Sequence, residues 1–331
     1  MKHQIRSAVA KAALFAWLAG FAWTPLVDAQ KFSDWGPPVN LGPFVNSKYN
    51  EQRPAISRNN LSLYFISDNP NGFGSFDIWV SHRTSVDTPW GTPQNLGPNI
   101  NTSGYESAPT FSPDGHWLFF GSNRPGGRGG FDIYASHRKD VDDDFAWEPP
   151  INLGCEINSP QDDDGPTLLV DKEEDTTLLY FTSLNRPGNI GDWDIYVSKM
   201  KEDGTFGPGV LVPELSSPFR DTRTAIRRDG LEIFITSARP GKVGAQGPLC
   251  CDIWVSTRKD TEDPWSLPVN LGPVVNSTVN NGSPALSRDG TTLYFNSDRP
   301  GGFGANDLYV TTRTRLRGDQ DGNNHRDHED H

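Results

Sequence analysis

The sequence predicts an all-β protein, a five-bladed β-propeller with four antiparallel strands in each blade. One residue pattern recurs five times at intervals of 55 to 60 residues, and repetition at such a period is typical of repeat architectures. Each copy holds short apolar runs separated by Asp-Gly or Asn-rich turns, which favour hairpins. The segments at the two ends of the pattern also predict how the ring closes. The anchors of the copies are Pro54, Pro109, Pro166, Thr224 and Pro284.

Every copy predicts its strands in the same order. The anchor belongs to the first strand, and a turn such as Arg288-Asp289-Gly290 leads to the second. A loop rich in Pro and Gly follows, which excludes helix and strand there. The third strand begins with an aspartate, which we expect to accept backbone N–H bonds from the loop. These aspartates are Asp77, Asp132, Asp194, Asp252 and Asp307.

A fourth short segment carries the pattern Trp…Pro…Asn-Leu-Gly. It follows three of the repeats, and a weaker form, 206–213, follows another. A further copy, Trp35–Gly42, precedes the first repeat, and none follows the last. We therefore expect the N-terminal strand to pair into the last blade, which closes the ring and removes exposed sheet edges.

The fullest copy reads Ser283-Pro284-Ala285-Leu286-Ser287-Arg288-Asp289-Gly290, then Leu293-Tyr294-Phe295, then 297–302, then Asp307-Leu308-Tyr309-Val310. It resembles the WD40-like repeat of TolB-type propellers, from about Trp35 to Arg313. The resemblance implies the fold and says little about function, because such propellers serve as binding platforms, as partners of lipoproteins and as enzyme scaffolds. TolB itself has six blades and an extra N-terminal domain, so its role is not carried over.

The ends of the chain differ from the repeats in composition. Residues 1–29 combine basic residues, an apolar run and the small-residue site Val27-Asp28-Ala29, which predicts a signal peptide. The propeller is expected over 30–314, followed by a disordered Asp/His-rich tail over 315–331. We therefore expect a periplasmic or secreted protein without membrane insertion after cleavage.

The formal net charge of −12 argues against nucleic acid as a partner, because phosphate binding needs basic patches. An acidic chain favours cations and neutral or cationic ligands. Three cysteines leave two alternatives open: a bridge from Cys155 to Cys250 or Cys251, or free thiols.

A set of polar residues three positions before the anchors is expected to surround the mouth of the central channel. So many carboxylates cannot all stay ionised in one narrow site without compensation. They would pair with Arg124, Arg186, Arg239 and Arg299, or bind Ca²⁺, or include one acid with a raised pKa. The set is Glu51, Glu106, Asp163, Asp221 and Asn281, and the run Asp162–Asp164 leaves the register of the third copy open by one residue.

From this ring we predict Glu51, Glu106 and Asp221 as catalytic residues. Arg53 and Arg223, one position before the anchor, would orient a carbonyl or carboxylate through paired N–H donors, and Trp193 would form a pocket wall. The predicted calcium ligands are Glu106, Asp163, Asp164, Asp221 and Asn281.

The leading hypothesis is a Ca²⁺-assisted hydrolase of small esters or lactones, in which the ion polarises the carbonyl and a carboxylate activates water. A glycoside hydrolase, which needs two suitably spaced carboxyl groups, is one alternative. A non-catalytic platform that binds a ligand or a protein on a propeller face is the other. The expected small-molecule partner is a neutral ester, lactone or sugar.

Overall fold

The computed structural model describes residues 32–171, 174–244, 247 and 251–316. The predicted signal peptide, the tail beyond residue 316 and Cys250 lie outside these ranges. Phe32–Arg315 forms one compact unit built of strands. None of the described residues belongs to a helix long and apolar enough to cross a membrane.

Within the described ranges, twenty strands form five antiparallel sheets of four strands, as the repeats predicted. The strand β1 is Val39–Asn40. Blade 1 contains β2 (Glu51–Ile56), β3 (Ser62–Ser67), β4 (Asp77–His82) and β5 (Gln94–Asn95). Blade 2 contains β6 (Glu106–Phe111), β7 (Trp117–Ser122), β8 (Asp132–His137) and β9 (Ile151–Asn152). Blade 3 contains β10 (Asp163–Asp171), β11 (Thr176–Leu184), β12 (Trp193–Lys199) and β13 (Val210–Leu211). Blade 4 contains β14 (Asp221–Ile226), β15 (Glu232–Ser237), β16 (Asp252–Thr257) and β17 (Val269–Asn270). Blade 5 contains β18 (Asn281–Leu286), β19 (Thr292–Ser297) and β20 (Asp307–Thr312), and β1 completes it.

The ring closes through the N-terminal strand. Val39 of β1 pairs with Val310 of β20 in antiparallel register. The side chain of Asn40 reinforces the closure, because its Nδ2 donates to Oδ2 of Asp307 at 2.7 Å. The predicted closure is therefore confirmed.

The hydrophobic core lies between neighbouring blades. In one cluster Tyr64 and Ile78 of blade 1 pack with Phe120 of blade 2 and with Trp147, all of them buried. Four further clusters of this kind are present. Because apolar side chains hold the blades against each other, the inner strands are left to line the central channel.

The aspartate at the start of each third strand ties its loop down, as predicted, although in blade 3 the strand begins one residue earlier, at Trp193. Asp132 accepts backbone N–H bonds from Arg128 at 2.7 Å and Gly129 at 3.0 Å, and a bond from Nδ2 of Asn152 at 2.7 Å. At Gly129 the loop touches the next blade, since an added Cβ would lie 1.8 Å from the carbonyl oxygen of Gln161. The recurring glycine is thus required by a close approach between two backbones.

Every inner strand is interrupted by a β-bulge at the same place. The residue just before each anchor has a positive φ there, although only one of the five is glycine. A bulge bends a strand and redirects a side chain. The residues are Arg53 (φ 56°), Ala108 (43°), Gly165 (65°), Arg223 (50°) and Ser283 (53°). In blades 1 and 4 the bulge directs an arginine toward the channel.

Candidate ligand-binding channel

The ring of polar residues exists, but its members are buried inside the blades. Each is at most 2 % exposed, and each begins an inner strand. Glu106 accepts bonds from the backbone N and Oγ1 of Thr102 at 2.9 and 2.7 Å and from Oγ of Ser122 at 2.9 Å. Asp221 accepts from Oγ of Ser217 and Ser237. We call Glu51, Glu106, Asp163, Asp221 and Asn281 the capping ring, because each fastens the segment before its strand.

Four members of the capping ring face an arginine of the Pro/Gly loop in their own blade. The pairing of the ring with these arginines was one of the predicted alternatives, and it is confirmed. The nitrogen-to-oxygen distances are 3.3 Å for Arg124 and Glu106, 3.7 Å for Arg186 and Asp163, 2.6 Å for Arg239 and Asp221, and 2.8 Å for Arg299 and Asn281.

Blade 1 departs from this arrangement, because Asn69 occupies the position of the arginine. Glu51 is held by the backbone N and Oγ of Ser47 at 2.9 and 2.7 Å and by Oγ of Ser67 at 3.2 Å. Burial raises the pKa of Glu51, and the charge of Asp307 adds to the effect. Burial also raises the pKa of Asp163.

The structure resolves the register of the acidic run in blade 3. Asp163 belongs to the capping ring, since it accepts from the backbone N and Oγ of Ser159 at 2.5 and 2.8 Å. Asp164, the next residue, points instead into the centre of the propeller, where it meets side chains from blades 1, 2 and 4.

These side chains form a clamp, defined as Arg53, Ser107, Asp164 and Arg223. Oδ2 of Asp164 lies 2.7 Å from Nη2 of Arg223 and 3.5 Å from Nη1 of Arg53. Oγ of Ser107 donates to the same carboxylate at 2.7 Å and also contacts Nη1 of Arg53. One carboxylate therefore joins three other blades, and the clamp carries one negative and two positive charges.

The electrostatics of the clamp keep Asp164 ionised. Burial alone would raise its pKa, but Arg223 and Arg53, together with the hydrogen bonds from Arg223 and Ser107, lower the pKa to about 2. Burial, followed by the charge of Arg223, lowers the pKa of Arg53. Nη1 of Arg223 is buried and makes no hydrogen bond with a described residue. The clamp thus has spare donor capacity.

A cavity of about 780 Å³ extends from the clamp to the hairpin turns of the inner strands. Its inner end is formed by Arg53 and Arg223, and residues from all five inner strands form its walls. Among the residues that the structure describes, the charged ones that line it are Arg53, Arg58, Asp114, Arg223, Arg228 and Arg288. The channel of this acidic chain is therefore basic. The net charge had suggested a cationic or neutral ligand, whereas a basic channel favours an anionic one. The two differ because the net charge sums over the whole surface and does not describe one cavity.

The other predicted site residues do not gather at this cavity. No described group of three or more His, Cys, Asp or Glu side chains is arranged to hold a metal ion. The predicted calcium ligands Glu106, Asp163, Asp221 and Asn281 belong to four separate blades, where each has the partners given above, so calcium binding stays a prediction. Trp193 is half-buried at the start of β12 and is not among the residues that line the cavity. Cys155 is an exposed free thiol, and Cys251 is buried.

Sequence reasoning found Arg53 and Arg223 but missed Ser107 and the central place of Asp164. Both lie one position after the capping ring, where the five inner strands carry Gln52, Ser107, Asp164, Thr222 and Gly282. Blade 3 alone has an acid there. That difference between copies was the available signal, and the neighbouring acids of the run hid it.

Fold and site together define a five-bladed propeller with a basic, partly apolar central cavity. No protein-family profile and no curated protein matches the chain. Membership in the TolB-type family is therefore not supported, although the resemblance led to the correct architecture.

Solved structures do resemble it. An α-L-arabinofuranosidase from Podospora anserina in complex with cellotriose aligns with a TM-score of 0.54 at 12 % identity, over 85 % of this chain and 98 % of its own. An endo-arabinase from Bacteroides thetaiotaomicron VPI-5482 aligns with a TM-score of 0.52 at 16 % identity, over 86 % and 99 %. A thermostable family-43 glycoside hydrolase gives 0.55 at 13 %, over 85 % and 94 %. Likeness at such identities shows a shared fold.

Proposed function

We propose that this protein is a ligand-binding propeller that holds a small molecule in its central cavity without converting it. The observation that carries the proposal is where the charged residues lie: some are inside the blades and others are at the cavity. The carboxylates expected to do chemistry are buried in the capping ring. The clamp instead presents the guanidinium donors of Arg53 and Arg223 to a cavity of ligand size, and Asp164, ionised at neutral pH, holds these two arginines in place.

A general acid must hold a proton near the working pH, and a general base must be able to accept one. Asp164 fits neither role, because a carboxyl with a pKa of about 2 is ionised at neutral pH and is a weak base. Glu106 and Asp221 contact arginines and hydroxyl groups of their own blades. Glu51 has a raised pKa but is buried and does not line the cavity. These observations support recognition by hydrogen bonds and charge over acid–base catalysis.

The proposal is tested by screening neutral sugars, lactones, esters and small organic acids for binding and for turnover in parallel. Thermal-shift measurements detect binding because a ligand of the native state stabilises it by RT ln(1 + [L]/Kd). Compounds that bind are then titrated calorimetrically against the wild type and Arg223→Gln. We expect saturable binding that Arg223→Gln weakens, without product formation. Turnover of any bound compound contradicts the proposal.

A second candidate is a glycoside hydrolase, favoured by the resemblance to the family-43 hydrolase, the α-L-arabinofuranosidase and the endo-arabinase. The same resemblance favours sugar over ester or lactone as a substrate class. Such an enzyme needs two carboxyl groups separated by roughly 5 to 9.5 Å around the scissile bond. Assays of arabinosides and xylosides with Glu51→Gln and Glu106→Gln decide between the candidates. A hydrolase loses turnover in one variant that remains folded, whereas a binding protein shows no turnover at all.

A further inference from the structure

Three arginines surround the outer end of the central cavity. Arg58, Arg228 and Arg288 occupy the hairpin turns that follow β2, β14 and β18, and all three line the cavity. Arg58 and Arg228 are exposed, whereas Arg288 is half-buried. None of the three forms an ion pair with a described residue, and Nη1 of Arg288 is buried without a hydrogen-bond partner among those residues. We call these three residues the mouth arginines.

Nearby arginines that do not line the cavity form ion pairs with acidic residues. Arg227, next to Arg228 in the same turn, lies 2.7 Å from Asp229 and 3.1 Å from Glu232. Arg313 also contacts Glu232. The mouth arginines instead lie close enough for their charges to interact: burial, then the positive charges of Arg228 and Arg58, lower the pKa of Arg288. Asp114, in the turn after β6, also lines the cavity, so the described residues of the mouth carry three positive charges and one negative charge. An anion bound there would relieve the remaining repulsion among the arginines.

The walls between the mouth and the clamp are mainly apolar. Ile56, Phe111, Leu168, Ile226 and Leu286 contribute side chains from all five inner strands. A ligand that fills this space must therefore present apolar surface to the walls and negative charge to the mouth.

We propose that the cavity binds a small amphipathic carboxylate, with its carboxylate group at the mouth arginines and its apolar body along the channel wall. The proposal rests on the proposed binding function and names its ligand class. Guanidinium groups suit a carboxylate because their planar donors match its two oxygens. The cavity volume of about 780 Å³ lies within the range of small-molecule sites.

The test is isothermal titration with decanoate, below its micelle concentration, and with three comparison compounds. 1-Decanol has the same chain without the charge, decyltrimethylammonium reverses the charge, and acetate has the charge without the chain. Decanoate should bind more tightly than all three. From octanoate to decanoate the affinity should increase about fourfold for each methylene, the value for transfer of one CH₂ from water to an apolar site.

Variants locate the carboxylate. Arg288→Gln should weaken decanoate binding about tenfold or more, because a hydrogen bond to a charged group is lost. Lys139→Gln is the matched control: it removes one positive charge from an exposed residue that follows β8 and does not line the cavity. It should leave binding unchanged. Thermal unfolding of each variant verifies that the propeller is intact.

Two results overturn the proposal: decanol that binds as tightly as decanoate, or Arg288→Gln that binds decanoate as well as Lys139→Gln. Failure here is distinguishable from failure of the proposed function. If another compound of the screen binds without turnover and requires Arg223, the protein is a binding propeller with a different ligand. If a screened compound is turned over, the proposed function itself is wrong.

Discussion

Substitution of Asp164 by asparagine tests whether one buried carboxylate holds the centre of the propeller together. The change keeps the shape of the side chain and removes its charge. In the wild type the pKa of Asp164 falls from 3.8 to about 2. At about 1.4 kcal/mol per unit of pKa, this shift means that the ionised carboxylate contributes about 2–3 kcal/mol to the free energy of unfolding. Asparagine also leaves Arg53 and Arg223 without a counter-charge, and breaking a buried pair costs about 3–5 kcal/mol. We therefore expect a loss of about 3 kcal/mol at pH 7.

The loss should depend on pH with a defined sign. A carboxyl whose pKa is lowered on folding contributes stability that is fully present above its unfolded value of 3.8. That stability disappears as the pH falls through the folded value of about 2. The difference in the free energy of unfolding between wild type and Asp164→Asn should therefore be constant from pH 7 to about 4. Below pH 4 this difference should become smaller.

Urea unfolding followed by tryptophan fluorescence at pH 7, 4, 3 and 2 measures this difference. The exposed Asp87→Asn serves as the control, and its unfolding midpoint should match the wild type at each pH. A difference between wild type and Asp164→Asn that is the same at pH 7 and pH 2 would refute the electrostatic explanation. So would an Asp164→Asn variant as stable as wild type at pH 7.

Three further predictions concern the framework. Glu106→Gln should lose about 3–5 kcal/mol of unfolding free energy, because its arginine is left buried without a counter-charge, whereas Glu51→Gln should lose much less, since no arginine faces it. Equal losses in urea unfolding would contradict this reading of blade 1. Gly129→Ala should lose about 1–3 kcal/mol or more of unfolding free energy, because its Cβ would meet a backbone carbonyl of the next blade. Gly247→Ala, whose Cβ would meet no atom of a described residue within 4 Å, should be neutral in the same assay. Asn40→Ala should speed amide hydrogen exchange in β20 by removing the bond that supports ring closure, and unchanged exchange there would show that backbone pairing alone suffices.

The sequence was sufficient for the architecture because the same physical requirement recurs in every blade. Asp132 and its counterparts satisfy the N–H groups of their loops, and Gly129 allows two backbones to touch. Such requirements leave one residue type at one position in copy after copy. The absence of a fourth-strand segment after the last repeat likewise predicted that the N-terminal strand pairs into the last blade, where Val39 lies opposite Val310.

The candidate site could be predicted only in part. Arg53 and Arg223 could be predicted because only the first and fourth copies of the repeat have an arginine just before the anchor. The structure brings both to Asp164. The direction of the capping ring could not be read from spacing, since a strand-initial side chain can face either the channel or its own loop. The alternation of side chains along a strand decides it: Asp163 turns into the blade and Asp164 into the channel.

The sequence predicts the mouth arginines only as turn residues, because Arg-Asp-Gly at 228 and 288 and Arg-Asn-Asn at 58 are typical of hairpin turns. Nothing in one turn indicates that Arg58, Arg228 and Arg288 share an opening. Their meeting results from ring closure, which places turns from distant repeats around one axis. Positive charge in the channel could therefore not be inferred from a chain of net charge −12.

The closing strand has a consequence for how the protein is made. β1 is among the first segments of the propeller to be synthesised, yet its partner β20 is among the last: the hydrogen bond between Asn40 and Asp307 joins residues 267 positions apart. Until β20 appears, β1 has no partner strand and blade 5 consists of β18 and β19 alone. Pairing β1 with β20 closes a very long loop, and the entropy cost of this closure falls at the end of folding. A chain truncated before β20 should therefore leave the edges of β1 and β19 unpaired.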